Sequence, residues 1–359
     1  MVLSELRIEN LRNIGELDLR LEPGMNLFTG SNGAGKTSIL EAAYLLSHAN
    51  SFRTRRGEIL VRRDFPRLNV FGEVTRSSGG TTRLGLTYGE GRWAARVDGR
   101  AADTLANMLE HCAVVCFEPG SHALISGPSD ERRRFVDWGV FHVEPSFVEV
   151  ARRYRRALRQ RNAALRECRS DAEMTIWDEA LVEAALPLST ARNRYLLRLA
   201  PLLCGLLQTY LPELGEPELR TSPGWKAELD LSSVLQGSRE ADRQRAHTTR
   251  GPHRADWWIR FAGAPRREQL SRGQEKLCAI ACMLAQAELY RVDHAEWPIV
   301  VLDDLPSELD QAHQHQVLTS LRSANQILLS STEVPASLER SGTRFRRFHV
   351  EQGVVRGLL

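Results

Sequence analysis

Residues Gly30-Ser31-Asn32-Gly33-Ala34-Gly35-Lys36-Thr37 set three glycines, a lysine and a hydroxyl in the G-x-x-x-x-G-K-[ST] spacing of a phosphate-binding loop. The glycines let the backbone bend until several N–H groups converge on one anion. A helix starting at the end of such a loop adds the partial positive charge of its N-terminus. Lys36, an exposed loop cation on this reading, then reaches the β- and γ-phosphates of ATP, and the Thr37 hydroxyl ligates Mg²⁺. Far downstream, the apolar run Pro298-Ile299-Val300-Val301-Leu302 ends in Asp303-Asp304. In a parallel sheet those carboxylates emerge at the strand's C-terminal edge, beside the phosphates. Asp303 is the expected Mg²⁺ partner, and Asp304 is placed to take a proton from the attacking water.

These groups need elements to hold them. Asn26 to Thr29 reads as a short strand before the loop, and Ser38 to Ser47 as a helix with Ile39, Leu40, Ala43 and Leu46 on one face. Ser271-Arg272-Gly273-Gln274-Glu275-Lys276 precedes an apolar helix from about 277 to 289, with Ser271 as its N-cap. That helix N-terminus and Lys276 are candidates to hold a second anion. Gln326 to Leu329 reads as another core strand. Leu17, Leu19 and Leu21 alternate as a strand does, and Val70 to Asp98 alternates in short runs between Gly-rich turns, which predicts an antiparallel subdomain. The expected α/β architecture is a P-loop lobe from 1–115 plus 285–359, mixed in sheet type, and a largely helical lobe over 120–270.

The 359 residues are enough for one or two domains, and 42% hydrophobic with 26% charged residues suits a soluble protein. No apolar run approaches the length that spans a bilayer, and no secretory signal opens the chain. The six cysteines at 112, 116, 168, 204, 278 and 282 form no C-x-x-C pair, so reduced thiols in the cytoplasm are expected. Arg dominates the basic residues; the three lysines are Lys36, Lys226 and Lys276, and two of them fall inside the motifs above. A net charge of +3 does not by itself argue for nucleic acid. Two local clusters do more. Between Arg152 and Arg169 eight arginines accompany a single acid, with Arg152, Arg155, Arg156, Arg159 and Arg166 on about one helical face. Arg53, Arg55, Arg56, Arg62 and Arg63 form a second cluster. As phosphate contacts, chiefly Arg53, Arg55, Arg56, Arg152, Arg156 and Arg159, they would bind DNA without reading its sequence.

In this order, the four elements resemble an ABC-type ATPase head: Walker A at 30–37, a signature at 271–276, Walker B at 298–304 and a D-loop at 308–310 carrying Asp310. The resemblance implies that two heads pair head to tail. Ser271, Arg272, Gly273, Gln274 and Lys276 then complete the ATP site of the partner. The long insert between Lys36 and Ser271 carries neither sustained heptads nor a Cys-x-x-Cys hook, and transporter ATPases keep the two motifs much closer.

Several further stretches resemble the RecF family of bacterial recombination mediators over essentially the whole chain. They are Leu11-Arg12-Asn13-Ile14, Ser51-Phe52-Arg53-Thr54, Phe117-Glu118-Pro119, the run from Ser126 to Asp137, Tyr154 with Gln160-Arg161-Asn162, Trp177-Asp178, and Gly251-Pro252-His253-Arg254. This resemblance implies a weak DNA-dependent ATPase in which ATP closes a homodimer on duplex, gapped or junction DNA. Slow hydrolysis releases it, and the RecO and RecR proteins are helped to load recombinase; no membrane partner is implied. Where the superfamily has a switch histidine this chain has Ser330-Ser331-Thr332, and Glu118 is the candidate in place of the Q-loop glutamine. The rival readings are a transporter's ATPase subunit and a small-molecule P-loop kinase, the second of which leaves 271–276 without a role.

Overall fold

The computed structural model describes residues 1–358 apart from 168, 265, 342 and 343, so Cys168 lies outside the described residues. The chain divides into two compact units, Met1–Ser121 with Lys276–Leu359, and His122–Glu275. Strands β1 (Val2–Leu11), β2 (Ile14–Arg20), β3 (Gly24–Thr29), β4 (Arg67–Thr75), β5 (Thr81–Gly89), β6 (Arg92–Val97), β7 (Arg100–Ala101) and β8 (Val114–Phe117) belong to the first unit. In the second lie β9 (Pro217–Ser222) and β10 (Asp256–Phe261). The first unit resumes with β11 (Ile299–Leu302), β12 (Gln326–Ser331), β13 (Phe345–Glu351) and β14 (Val354–Leu358).

Two six-stranded sheets build the first unit. One runs β2-β1-β4-β5-β6-β7 and is antiparallel throughout. Its strands alternate as a sheet with one covered face must: Leu68, Val70 and Val74 point inward along β4, Leu84 and Leu86 along β5. The subdomain predicted over 70–98 is therefore larger, because β1 and β2 extend it. The other sheet runs β14-β13-β3-β12-β11-β8, parallel except for β14 on its edge. Every residue of β11 and β12 is buried, as continuous apolar runs in a parallel sheet should be.

The helix after the phosphate loop, Lys36–His48, packs on both sheets. The single apolar face read from the sequence is thus too narrow: Ala42 and Leu45 are buried along with Ile39, Leu40, Ala43 and Leu46. Burial on all sides also takes in Glu41, which a charge tolerates only when paired. Arg12 donates to it from Nε at 3.0 Å and Nη2 at 2.9 Å, and the Ser51 hydroxyl adds a third bond.

The second unit is built on the helices Ser129–Val143, Phe147–Arg166 and Asp171–Tyr210. It also holds the antiparallel pair β9–β10, which a largely helical reading omits. A reciprocal capping box between Ser170 and Glu173 starts the 40-residue helix. Arg161 departs from the arginine-rich surface its neighbours form, being fully buried. Its guanidinium bonds Asp178 at 2.7 Å, Asp242 at 2.7 Å and the Thr248 hydroxyl at 2.8 Å. Removing one partner of such a buried network strands the others' charge. Arg161→Met should therefore cost ~3–5 kcal/mol in thermal or denaturant unfolding, and adding Asp178→Asn should restore part of it.

Candidate nucleotide site

In a parallel sheet the C-terminal ends of the strands share one edge. Thr29 of β3 pairs with Ser331 of β12, and Leu329 of β12 with Leu302 of β11. The loop leaving β3 and the carboxylates leaving β11 therefore flank the end of β12, where Ser330 stands. Between them lies a cavity of about 250 Å³ lined by the loop and helix start from Asn32 to Ser38, by Arg12, Asn13 and Arg53, and by Asp303, Asp304 and Ser330.

Gly30 opens the loop at φ 150°, and a Cβ there would lie 2.2 Å from the Val350 carbonyl of β13. Gly35 closes it in the left-handed region at φ 115°, as the N-cap of the helix. Two turns from elsewhere in the chain brace the segment between. The Asn13 amide donates to the Gly33 carbonyl at 3.1 Å and accepts from the Ser38 hydroxyl at 3.2 Å. Gly353, in the β13–β14 turn, donates its N–H to the Ala34 carbonyl at 2.7 Å. Lys36 is not the exposed cation expected: only 7% of it is accessible, and its Nζ donates to the carbonyls of Gly30 at 2.7 Å and Ser31 at 2.9 Å. Desolvation pulls its pKa below the ordinary lysine value, and the charges of Asp304 and Asp303 oppose that.

The Thr37 hydroxyl lies 3.0 and 3.1 Å from the two Asp303 oxygens. Ser330 donates its hydroxyl to Asp303 at 2.6 Å and accepts the Asp304 N–H at 3.0 Å. Burial pushes the Asp303 pKa up; the bonds from Ser330 and Thr37 pull it down, and Asp304 raises it. Asp304 sits in the left-handed region at φ 53°, ψ 38°. No cluster of three or more His, Cys, Asp or Glu among the described residues offers a self-sufficient metal site. A hydroxyl touching one carboxylate is the donor set of Mg²⁺, which keeps waters and takes its remaining ligands from phosphates.

Other residues singled out from the sequence lie outside this cavity lining. Glu118 follows β8, its carboxylate turned onto the Gly120 N–H at 2.6 Å. Ser271 and Gln274 form a reciprocal box: the Gln274 N–H donates to the Ser271 hydroxyl at 3.2 Å, and the Ser271 N–H to the Gln274 side chain at 2.9 Å. It starts the helix Arg272–His294, longer at both ends than the apolar stretch suggested. Ser271, Arg272 and Gly273 are exposed. Lys276 pairs with Glu308 at 2.8 Å, so its charge is already answered. Asp310 caps the helix Gln311–Ser320 through the N–H groups of His313 and Ala312, and bonds from the His313 N–H and imidazole chiefly hold its pKa below the usual range. Arg55, Arg56, Arg152, Arg156 and Arg159 are exposed, and Arg152 bonds Glu149. Arg53, grouped with them in the sequence and likewise exposed, also lines the nucleotide cavity. Sequence reasoning gave no site role to Arg12, Asn13 or Gly353. Arg12 and Asn13 fall in the Leu11–Ile14 stretch that carries the family resemblance, but nothing in that stretch or around Gly353 places them at the phosphate loop.

A phosphate loop on a parallel sheet, carboxylates at the end of a strand one removed in that sheet and an antiparallel sheet packed on the loop's helix define a nucleotide-binding head. The family model described as RecF/RecN/SMC N terminal domain matches residues 2–355. The chain belongs to the RecF family: it is 45% identical to the DNA replication and repair protein RecF of Stenotrophomonas maltophilia, covering 99% of each chain. It is likewise 45% identical to the protein of that name from Xanthomonas euvesicatoria, covering 97% of this chain and 96% of the relative. A solved structure of the recombination mediator protein RecF-ATP in the RecFOR pathway superposes with a TM-score of 0.90 at 25% identity, over 99% of this chain and 97% of the other. An Smc head bound to the C-winged helix domain of ScpA shares the fold alone, at TM-score 0.61 and 13% identity, over 100% of this chain and 97% of that one.

The raised pKa of Asp303 sets a stability prediction. A carboxyl with a raised folded pKa burdens the fold above that pKa, and the burden disappears as pH falls below the ordinary aspartate range. Without nucleotide, Asp303→Asn should therefore melt at a higher temperature than the parent near neutral pH. The gain should shrink on acidification, while Mg²⁺-dependent ATP affinity falls. A parent that melts higher at every pH would contradict the assignment.

Proposed function

We propose that the protein binds ATP with Mg²⁺ in this cavity, pairs with a second copy across the bound nucleotides, closes on DNA and opens on slow hydrolysis. The observation that carries this is a division of labour. The cavity gathers the phosphate loop, Asp303, Asp304 and Ser330, while Ser271, Arg272 and Gly273 stand exposed without lining it. Gly273 has no evident use within its own chain, since an added Cβ would meet nothing nearer than the Ser271 hydroxyl at 3.9 Å. Glycine at a helix start costs stability relative to alanine, and a close approach from outside would account for it.

Within that cycle the N–H groups of 33–37 cradle the phosphates, and Lys36 leaves its two carbonyl partners to meet them. Thr37 and Asp303 would hold Mg²⁺, which supplies charge neutralisation at the phosphates. Asp304 accepts the proton of the attacking water. Ser330 replaces a switch histidine and ties the Asp303 carboxylate to the Asp304 backbone N–H. Lacking an imidazole there and a glutamine near Glu118, the site suits a slow switch. Arg55, Arg56 and the exposed face with Arg152, Arg156 and Arg159 supply phosphate contacts that do not read sequence. The named relatives act in DNA replication and repair and in the RecFOR pathway. RecO and RecR are accordingly the proposed partners, and the cytoplasm the proposed location. Among the described residues no helix is long and apolar enough to cross a membrane.

Asp304→Asn should retain ATP, accumulate as dimer and lose roughly 10²–10⁴-fold in hydrolysis, because the amide cannot accept the proton. The shared site is tested by mixing a Lys36→Met chain with a Ser271→Arg chain. Neither hydrolyses alone, but each mixed dimer retains one intact composite site, so ATPase activity should partly return. If sizing shows mixed dimers and no activity returns, head-to-tail pairing is wrong.

A further inference from the structure

Glu41 is buried on the helix that follows the phosphate loop and does not line the nucleotide cavity. Its partners lead there all the same. Arg12, which lines the cavity, is held bidentately, with Nε on one carboxylate oxygen and Nη2 on the other. The third bond comes from Ser51, itself buried. A hydroxyl has one proton to give. The Ser51 oxygen accepts the N–H groups of Arg53 at 2.9 Å and Thr54 at 3.2 Å, so that proton goes to Glu41. Arg53 is a second arginine of the cavity lining. One carboxylate thus stands behind both.

Charge satisfaction does not account for this arrangement. Arg12 alone balances Glu41, and the Ser51 bond adds nothing to that balance. A buried ion pair is also a poor way to stabilise a core, since apolar side chains of similar volume commonly do as well or better. What the arrangement does supply is fixed geometry. Arg12 gives its backbone N–H to the Leu60 carbonyl at 2.8 Å and its Nη1 to the Ile59 carbonyl at 3.3 Å. The segment from 51 to 60 is therefore tied at both ends to the Arg12–Glu41 pair. Next to Ser51, Phe52 packs edge-on against Tyr44, about one turn beyond Glu41 on the helix, with ring centroids 5.2 Å apart.

The two arginines are not equivalent electrostatically. Arg12 is neutralised by Glu41, whereas Arg53 is exposed and has no ion pair among the described residues. The field of Arg53 reaches the carboxylate end of the site: burial chiefly raises the Asp303 pKa, and Arg53 pulls it the other way. A cation held there acts on charge that develops during phosphoryl transfer, which affects turnover more than binding. We infer that Glu41 is a positioning residue for ATP hydrolysis, fixing Arg12 directly and Arg53 through Ser51 in the geometry the reacting phosphates need. This deepens the proposed ATP site and rests on it.

The test measures hydrolysis of Mg²⁺-ATP by the full chain with duplex DNA present, together with ATP affinity and melting temperature. Ser51→Ala keeps the Arg12–Glu41 pair and removes only the link to Arg53. It should lower kcat about three- to tenfold, the scale of one hydrogen bond, with the Kd for ATP within about twofold of the parent. If Ser51 acts through Arg53, adding Ser51→Ala to Arg53→Ala should slow turnover no further than Arg53→Ala alone. Glu41→Gln should lose more than Ser51→Ala, because both arginines are released; should that variant not fold, the Ser51 and Arg53 set decides without it. A folded Ser51→Ala protein that melts lower yet turns over at the parent rate overturns the inference and leaves Glu41 a structural ion pair. An undiminished further loss in the Arg53→Ala background overturns it too. A parent that binds no ATP would sink the proposed site itself, whereas parent-like variants of an active parent refute the positioning role alone.

Discussion

Asp303 is buried between two hydroxyls, and that small cluster joins the three elements on which the nucleotide cavity depends. Thr37 brings the first turn of the loop's helix, Ser330 the end of β12, and Asp303 itself the end of β11. A carboxylate stripped of water is costly unless bonds replace its hydration. The two hydroxyls supply part of that replacement, and the residual penalty appears as a raised pKa. Lys36, buried on the same helix, meets the same demand by donating to the carbonyls of Gly30 and Ser31.

Everything around the cluster serves to hold it still. The loop's helix is covered by sheets on both sides, and its one buried acid, Glu41, is matched by Arg12 from the β1–β2 turn. The adjacent Asn13 braces the loop directly, so one turn secures both the helix and the phosphate cradle. The β13–β14 turn closes against the opposite part of the loop through Gly353. A loop bent by three glycines has high conformational entropy when free, and bracing from two hairpins reduces what nucleotide binding must order.

The helical unit uses arginine in two physically different ways. Arg132, Arg161 and Arg192 have little or no exposure and meet carboxylates in tightly bonded networks that fix the helices and the loop before β10. On the helix Phe147–Arg166 other arginines face outward: Arg152 and Arg153 pair with Glu149 and Glu183 at the surface, and Arg155, Arg156 and Arg159 are exposed. In sequence the two populations are interleaved: Arg159 is exposed and Arg161 fully buried on one helix. Helical periodicity separates them only once the buried face is known.

The chemistry of the nucleotide site was legible in the chain because it is local. A phosphate loop needs its glycines, lysine and hydroxyl at fixed spacing, and a buried parallel strand ending in two acids is marked by its own run of β-branched residues. The head class and its RecF character could be read from those motifs and from stretches spread along the chain. What only the tertiary structure decided were the groups that reach the site from other turns, Asn13, Arg12 and Gly353, and the place of Arg53 in the cavity lining. It also decided that Lys36 is buried and that Lys276 is matched by Glu308. These facts depend on which strand ends share an edge and which turns fold over them. Spacing along the chain carries no information about that, because the energy involved comes from burial and hydrogen bonds between segments that lie, in most cases, tens to hundreds of residues apart.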